Sequence, residues 1–235
     1  MNVLSVRSRT MIINSILSSP IKSIAFSKHD ERLGVGLEDG ILTLVSPESN
    51  WESVGEIDQS DSSICCQDWT SKLLACGRRN GSVSLFDTEK VFGNFFVPIA
   101  EFTGNLPVRS MAFAPSGRLL AIGGDNGVVS VLSAKGGWGL FNQINLGCSI
   151  LAIRWSPAGR YVCFAGTDQT FRVYDTITWA TVKEARESVS SIFATNNATS
   201  ISGLDWSRDS KWMAIGGLGS GIHLVDTQEW TLLDL

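Results

Sequence analysis

The sequence predicts an all-β protein made of five repeats, each containing four short antiparallel strands. Two observations lead to this prediction. A segment that ends in an aromatic residue recurs at nearly constant spacing, and the same order of turns and strands follows each copy. No part of the chain shows the 3.6-residue apolar period of an amphipathic helix. Folds that alternate strands with helices, and helical solenoids, are therefore excluded.

The recurring aromatic residue ends the first strand of each repeat. The five copies are IKSIAF, ICCQDW, VRSMAF, ILAIRW and ISGLDW, and their last residues are Phe26, Trp69, Phe113, Trp155 and Trp206. Successive aromatic residues lie 43, 44, 42 and 51 positions apart. A period of about 40–45 residues is typical of the four-stranded blades of a β-propeller. The longest step indicates an insertion at residues 186–200.

Turn sequences divide each repeat into its strands. A polar turn follows the aromatic residue, and a small apolar strand such as LLAIGG then leads to a tight turn, EDG, RNG, DNG or GSG. Asp-Gly and Asn-Gly between apolar strands are strong hairpin signals because both residues tolerate positive φ. An alternating third strand and a more polar fourth strand complete the unit. The predicted blades cover residues 21–57, 64–102, 108–145, 150–185 and 201–235, after an N-terminal segment 1–20 with one extra strand, Met11–Leu17.

These repeats resemble those of the WD-repeat family. The segment FAPSGRLLAIGGDNGVVSVLS is similar to the family's first three strands, and the third strands of repeats two, four and five end in its aspartate, at Asp87, Asp175 and Asp226. Repeats one and three have Ser46 and Ser133 there, and no repeat has the signature tryptophan or a preceding Gly-His pair. The resemblance implies a protein-binding propeller. Without the family's histidine-containing tetrad, its blades are expected to be held by packing and strand ladders.

Residues suited to catalysis or cofactor binding are scarce. The two histidines, His29 and His223, have no cysteine or histidine neighbours at zinc-ligand spacing. No G-x-S-x-G nucleophile elbow and no Walker-type loop occurs. The glycine-rich segments do not match G-x-G-x-x-G, and none opens a predicted helix. We therefore expect no catalytic residue, no metal and no cofactor.

Composition favours an intracellular protein, either cytoplasmic or nuclear. The 19 basic residues are scattered among 23 acidic ones, and the net charge is −4, so direct binding to nucleic acid is disfavoured. The five cysteines form no Cys-x-x-Cys motif, which indicates free thiols in a reducing compartment. No apolar run approaches the roughly 20 residues of a membrane span, so no membrane contact is expected.

The candidate partner-binding surface lies on the connections between strands. The resemblance assigns most binding to the end formed by the fourth-to-first loops and the second-to-third turns. The candidates there are Lys22, Arg109, Glu38, Arg78, Arg79, Asp125 and Thr167. In the long third-to-fourth connections, Phe95, Phe96 and Trp138 allow two interpretations, packing along the blade edge or exposed anchors for a partner. The Arg78–Arg79 pair is either a solvated turn, a contact for an acidic partner or a lipid headgroup site.

These features predict a noncatalytic scaffold or adaptor subunit of a multiprotein complex that docks a peptide or domain of another protein. The alternatives are a propeller-fold enzyme and a nucleic-acid-associated scaffold. We also expect the five repeats to form an open arc completed by further blades of a longer chain. A closed five-bladed ring is the competing architecture, and contacts between the first and fifth repeats distinguish the two.

Overall fold

Antiparallel strands account for nearly all regular structure in the computed structural model, which describes residues 2–4, 11–14, 19–28, 32–57, 62–92, 95–186, 200–217 and 222–234. A short hairpin of β1 (Asn2–Leu4) and β2 (Met11–Asn14) precedes the repeats. Residues 15–17 of the predicted N-terminal strand lie outside the described residues. Most of the insertion 186–200 also lies outside them.

Five four-stranded units follow this hairpin, so the predicted all-β fold class is confirmed. Blade 1 contains β3 (Ile21–Phe26), β4 (Leu33–Leu37), β5 (Leu42–Val45) and β6 (Ser53–Ile57). Blade 2 contains β7 (Ile64–Trp69), β8 (Leu73–Arg78), β9 (Val83–Phe92) and β10 (Phe95–Phe102). Blade 3 contains β11 (Val108–Phe113), β12 (Leu119–Gly124), β13 (Val128–Ser133) and β14 (Gly139–Asn145). Blade 4 contains β15 (Ile150–Trp155), β16 (Tyr161–Gly166), β17 (Thr170–Asp175) and β18 (Thr181–Arg186). Blade 5 contains β19 (Ile201–Trp206), β20 (Trp212–Gly217), β21 (Ile222–Asp226) and β22 (Thr231–Asp234).

The core lies in the seams between consecutive blades. The first strands pack in the series β3, β7, β11, β15 and β19, and the apolar faces of adjacent blades meet beside them. The seam between blades 3 and 4, for example, buries Val129, Ile153 and Phe164. Burying one such side chain stabilises the fold by about 1.5–3 kcal/mol. Stacking therefore buries both faces of an interior blade, which no blade could achieve alone.

A tryptophan before the fourth strand packs on the aromatic residue that ends the first strand of the same blade. The pairs are Trp51–Phe26, Trp138–Phe113 and Trp179–Trp155, with ring centroids 6.3, 5.7 and 6.2 Å apart in edge-on geometry. All three tryptophans have positive φ. Trp138 is buried by this contact, so its assignment as an exposed anchor for a partner is wrong and the packing interpretation holds.

Blade 2 is joined to blade 1 at its outer edge. Phe95 of β10 pairs with Glu56 of β6, which makes the two blades one eight-stranded sheet. The next residue, Phe96, is buried against blade 1, and a Cβ atom on Gly55 would lie 2.5 Å from its ring. Phe96 is therefore not an exposed anchor either, because this glycine leaves a space that the ring fills. The side chain of Phe95 lies outside those described.

The described blades form an open arc. Ile24 is 64% exposed, although the matching residues of later blades, Met111, Ile153 and Leu204, are buried against the preceding blade. At the other end, the fifth blade exposes Ile222. Within the described strands, β19 makes no packing contact with β3 comparable to those between neighbouring first strands. The open-arc prediction agrees with this arrangement.

Candidate functional site

Two ion pairs lie at the loop end of the arc, on blades 1 and 3. Lys22 contacts Glu38 at 3.3 Å, and Arg109 binds both carboxylate oxygens of Asp125, with its closest contact at 2.7 Å. Each pair joins the second residue of a first strand to the turn between the second and third strands. Repetition of the blade therefore places the same pair of positions at the same end of the arc.

Blade 2 has Cys65 and Arg79 at these two positions. The charges of Arg109, Arg79, Asp125 and Lys22 all act on the half-buried Cys65 thiol. Burial raises the pKa of Cys65, and Arg109, Arg79 and Lys22 partly oppose that increase. Four of the predicted site residues, from three blades, thus converge on one cysteine. We call Lys22, Glu38, Cys65, Arg79, Arg109 and Asp125 the rim cluster.

Arg79 is the cation of this cluster that lacks a carboxylate partner among the described residues. Its side chain is exposed, and its backbone amide donates to the Ser63 carbonyl at 2.9 Å. The cluster holds three cations and two carboxylates, so it carries a local positive excess on a chain of net charge −4. Thr167 occupies the equivalent exposed turn position in blade 4.

Arg78 does not belong to this surface, which corrects its assignment to a solvated, partner-binding turn. It is the last residue of β8 and only 2% exposed. Its side chain faces the seam with blade 1, where Nη1 donates to the Ser84 hydroxyl at 2.7 Å. Nε and Nη2 are buried, and no described residue accepts a hydrogen bond from them. Blades 3 to 5 have glycine at this strand position, and sequence comparison of the repeats alone does not reveal where an arginine would point.

Three cross-strand positions determine what fills each seam near the loop end. Blade 2 presents Arg78, Ser84 and Glu101 to blade 1, and blade 4 presents Gly166, Arg172 and Glu184 to blade 3. Arg172 contacts both Asp168 and Glu184, at 2.8 and 2.9 Å. In both of these seams, therefore, an arginine lies on the same sheet face as a glutamate.

The seam between blades 2 and 3 differs because blade 3 presents the small, uncharged set Gly124, Ser130 and Gln143. A cavity of about 280 Å³ lies there, which we call the cleft. Its walls come from both blades and from the loop 103–107. The walls are mostly apolar and contain no charged side chain. The lining residues are Gly81, Val83, Phe102, Thr103, Gly104, Leu106, Pro107, Val108, Ile122, Gly123, Gly124, Asn126, Val128, Ser130, Leu132, Leu140 and Gln143.

Sequence reasoning missed both Cys65 and the cleft. Cys65 was overlooked because it stands in an apolar run. Alignment of the repeats places it at the same strand position as Lys22 and Arg109, and this shared position is the signal that could have identified it. The cleft depends on which residues of different strands share a face.

Among the described residues, no group of three or more His, Cys, Asp or Glu side chains could hold a metal ion. No described helix is long and apolar enough to cross a membrane.

Comparison with known proteins agrees with the observed blades. The family model for the WD domain, G-beta repeat, matches residues 96–132 and 144–175. The WD repeat-containing protein slp1 of Schizosaccharomyces pombe is 24% identical over 140 residues, which is 60% of this chain and 28% of slp1. A chain in the crystal structure of a mitotic checkpoint complex superposes with a TM-score of 0.84 at 19% identity. That match covers 100% of this chain and 70% of the solved chain.

Stacked four-stranded antiparallel blades define a β-propeller repeat protein. Within that class, the repeats of this chain are similar to those of WD-repeat proteins, and the family model matches two of the segments.

Proposed function

We propose that this chain is a noncatalytic scaffold subunit of a multiprotein complex, and that its rim cluster binds an acidic segment of a partner protein. The observation that carries the proposal is the exposed guanidinium of Arg79, which forms no ion pair with a described residue and lies between two ion pairs on neighbouring blades. An acidic partner group would give Arg79 the carboxylate that the described residues of the chain do not supply. Charge-assisted hydrogen bonds to arginine are among the stronger polar contacts at interfaces.

The construction of the rim supports this proposal. Its residues belong to first strands and tight turns that are fixed by the ladders of three blades, so partner contacts would form at low ordering cost. Lys22 pairs with Glu38 and Arg109 pairs with Asp125, so among the described residues of the cluster Arg79 is the cation available to a partner. The likeness to a chain of a mitotic checkpoint complex is consistent with a role as one subunit among several.

The two other classes find less support in the described residues. The carboxylates of the rim cluster are bound to cations, and Cys65 has a raised pKa, so the cluster does not offer a ready base or nucleophile. Glu38 and Asp125 interrupt its basic side chains, which disfavours a track of phosphate contacts. The five cysteines are unpaired, as suits a subunit that acts in the reducing cytoplasm or nucleus.

Affinity capture with chemical cross-linking and mass spectrometry tests this function. Wild-type protein should retain a specific partner whose cross-links map to the rim and to an acidic segment. Arg79→Ala should weaken that partner, and added salt should weaken it further because the contact is ionic. Arg118→Ala is the matched control, since Arg118 is an exposed arginine in the turn after the first strand of blade 3. Equal loss in both variants, or no loss in either, would contradict the proposal.

A further inference from the structure

We infer that the cleft between blades 2 and 3 receives one large apolar side chain, a leucine, methionine or phenylalanine, from the partner segment bound at the rim. The inference rests on the proposed function and adds a second subsite to it. Its basis is the comparison of three equivalent seams. Two of these seams are filled by the chain's own Arg78 and Arg172, and the third is open.

The uncharged walls determine which kind of side chain fits. In the seam between blades 3 and 4, Asp168 and Glu184 neutralise Arg172. In the cleft, Gln143 stands where that seam has Glu184, and Ser130 stands where it has Arg172. A charged side chain entering the cleft would lose water without gaining a counter-ion, which is costly. A neutral, apolar group meets no such penalty.

The size of the cleft is right for a single anchor residue. An apolar cavity of about 150 Å³ is enough to hold benzene. The cleft, at about 280 Å³, therefore has room for a phenyl or branched aliphatic group, and it is just smaller than the usual range for drug-sized ligands, which begins near 300 Å³. At its mouth Leu106 and Leu140 are 49% and 59% exposed, so a partner would also cover surface that is costly to leave in water.

The cleft adjoins the rim cluster. Its wall includes Gly81, which lies two residues beyond Arg79 in the same tight turn, and Val108, the neighbour of Arg109. Polar groups of Asn126 and Gln143 stand among the apolar walls, where they can meet the backbone of an extended segment. One short peptide can therefore reach Arg79 and the cleft together.

Selection from a library of linear random peptides displayed on phage tests the inference. We expect peptides that bind wild-type protein to share a Leu, Met or Phe at one position. Ser130→Phe, which fills the cleft, and Leu140→Asp, which makes its mouth polar, should each weaken the selected peptides at least about tenfold, the change expected when one buried apolar side chain is lost. Ile177→Asp is the control, because Ile177 is an exposed apolar residue of a blade 4 turn. It should leave binding unchanged.

Three results would overturn the inference. The first is that the selected peptides bind both cleft variants as well as wild type, and the second is a charged residue at the shared position. The third is that no peptide binds, although benzene added as a small apolar probe does bind in the cleft. Leu140→Asp changes an exposed residue, so it keeps the test valid if Ser130→Phe fails to fold. Arg79→Ala separates the two proposals. Peptides that depend on Arg79 but not on the cleft would refute the subsite and leave the rim function standing. Peptides that depend on the cleft but not on Arg79 would refute the rim function and leave the cleft subsite standing.

Discussion

The indole nitrogen of Trp155 donates a hydrogen bond of 2.9 Å to the backbone carbonyl of Ala112, across the seam between blades 3 and 4. The same seam holds a second bond, from the amide of Ile153 to the Ser110 hydroxyl at 3.1 Å. The next seam repeats the indole contact, from Trp206 to the Arg154 carbonyl at 3.3 Å. Polar bonds between first strands therefore tie the blades together, in addition to apolar packing.

Trp155→Ala should lower the free energy of unfolding by about 3–5 kcal/mol because it leaves a large cavity in a buried seam. Trp155→Phe keeps an aromatic ring but removes the indole donor to the Ala112 carbonyl, which is also paired in the β11–β12 ladder, so this variant should cost less, about 0.5–1.5 kcal/mol. Arg79→Ala, an exposed change, should stay within about 0.5 kcal/mol of wild type. Denaturant unfolding monitored by fluorescence and circular dichroism checks the order. If Arg79→Ala were the most damaging of the three, the assignment of seam and rim would be wrong.

The open end of the arc leads to a second prediction. Ile24 and Ile153 occupy the same position of the first strand, but Ile24 is largely exposed and Ile153 is fully buried. Ile153→Ala should cost about 2–5 kcal/mol, and Ile24→Ala less than about 0.5 kcal/mol. Thermal and denaturant unfolding of the two variants provide the comparison. A similar large loss for both would mean that another part of the protein covers Ile24.

Repeat spacing and turn chemistry were sufficient to predict the blades, because each strand is bounded by local signals such as Asp125-Asn126-Gly127. The cross-seam bonds of Asp68 and Ser110 could not be predicted in this way. Asp68 accepts from the amide of Phe113 at 2.6 Å, a partner 45 residues away. Such contacts depend on how neighbouring blades are aligned, and no local pattern encodes that alignment.

The candidate site was predictable in part for the same reason. Lys22, Glu38, Arg79, Arg109 and Asp125 could be nominated because turn positions map directly to one end of the arc. The burial of Arg78 was missed, and for Phe96 and Trp138 packing along the blade edge was one of two interpretations that the sequence left open. Each of these side chains is covered by packing that its immediate sequence neighbours do not reveal.

The Arg109–Asp125 pair predicts a pH dependence. Hydrogen bonding to Arg109 holds the pKa of Asp125 below its usual value, so the carboxylate favours the folded state. For a lowered pKa, this stabilisation is fully present above the unfolded-state value of about 4, and it is lost as the pH falls through the folded-state pKa. Asp125→Asn should therefore be less stable than wild type at neutral pH, by less than about 1 kcal/mol because the pair is exposed. The difference should vanish in acid. A gap that widened with acidification would contradict the pairing.

The thiols provide a probe of the rim cluster that needs no partner. Cys76 and Cys163 are fully buried, and burial raises the pKa of Cys76 to about 12, so neither should react with iodoacetamide while the protein is folded.

Cys65 is partly exposed, and Arg109 and Arg79 lower its pKa against the effect of burial. Arg109→Ala should therefore slow alkylation of Cys65, because less thiolate is present and Asp125 is left unpaired nearby. The change should be less than about tenfold, since removing one surface charge shifts a pKa by about one unit or less. Mass spectrometry of timed alkylation measures each rate, with Arg118→Ala as the control that leaves Cys65 unaffected. Faster alkylation of Cys65 in Arg109→Ala would show that steric cover by the arginine, and not its charge, controls access to this thiol.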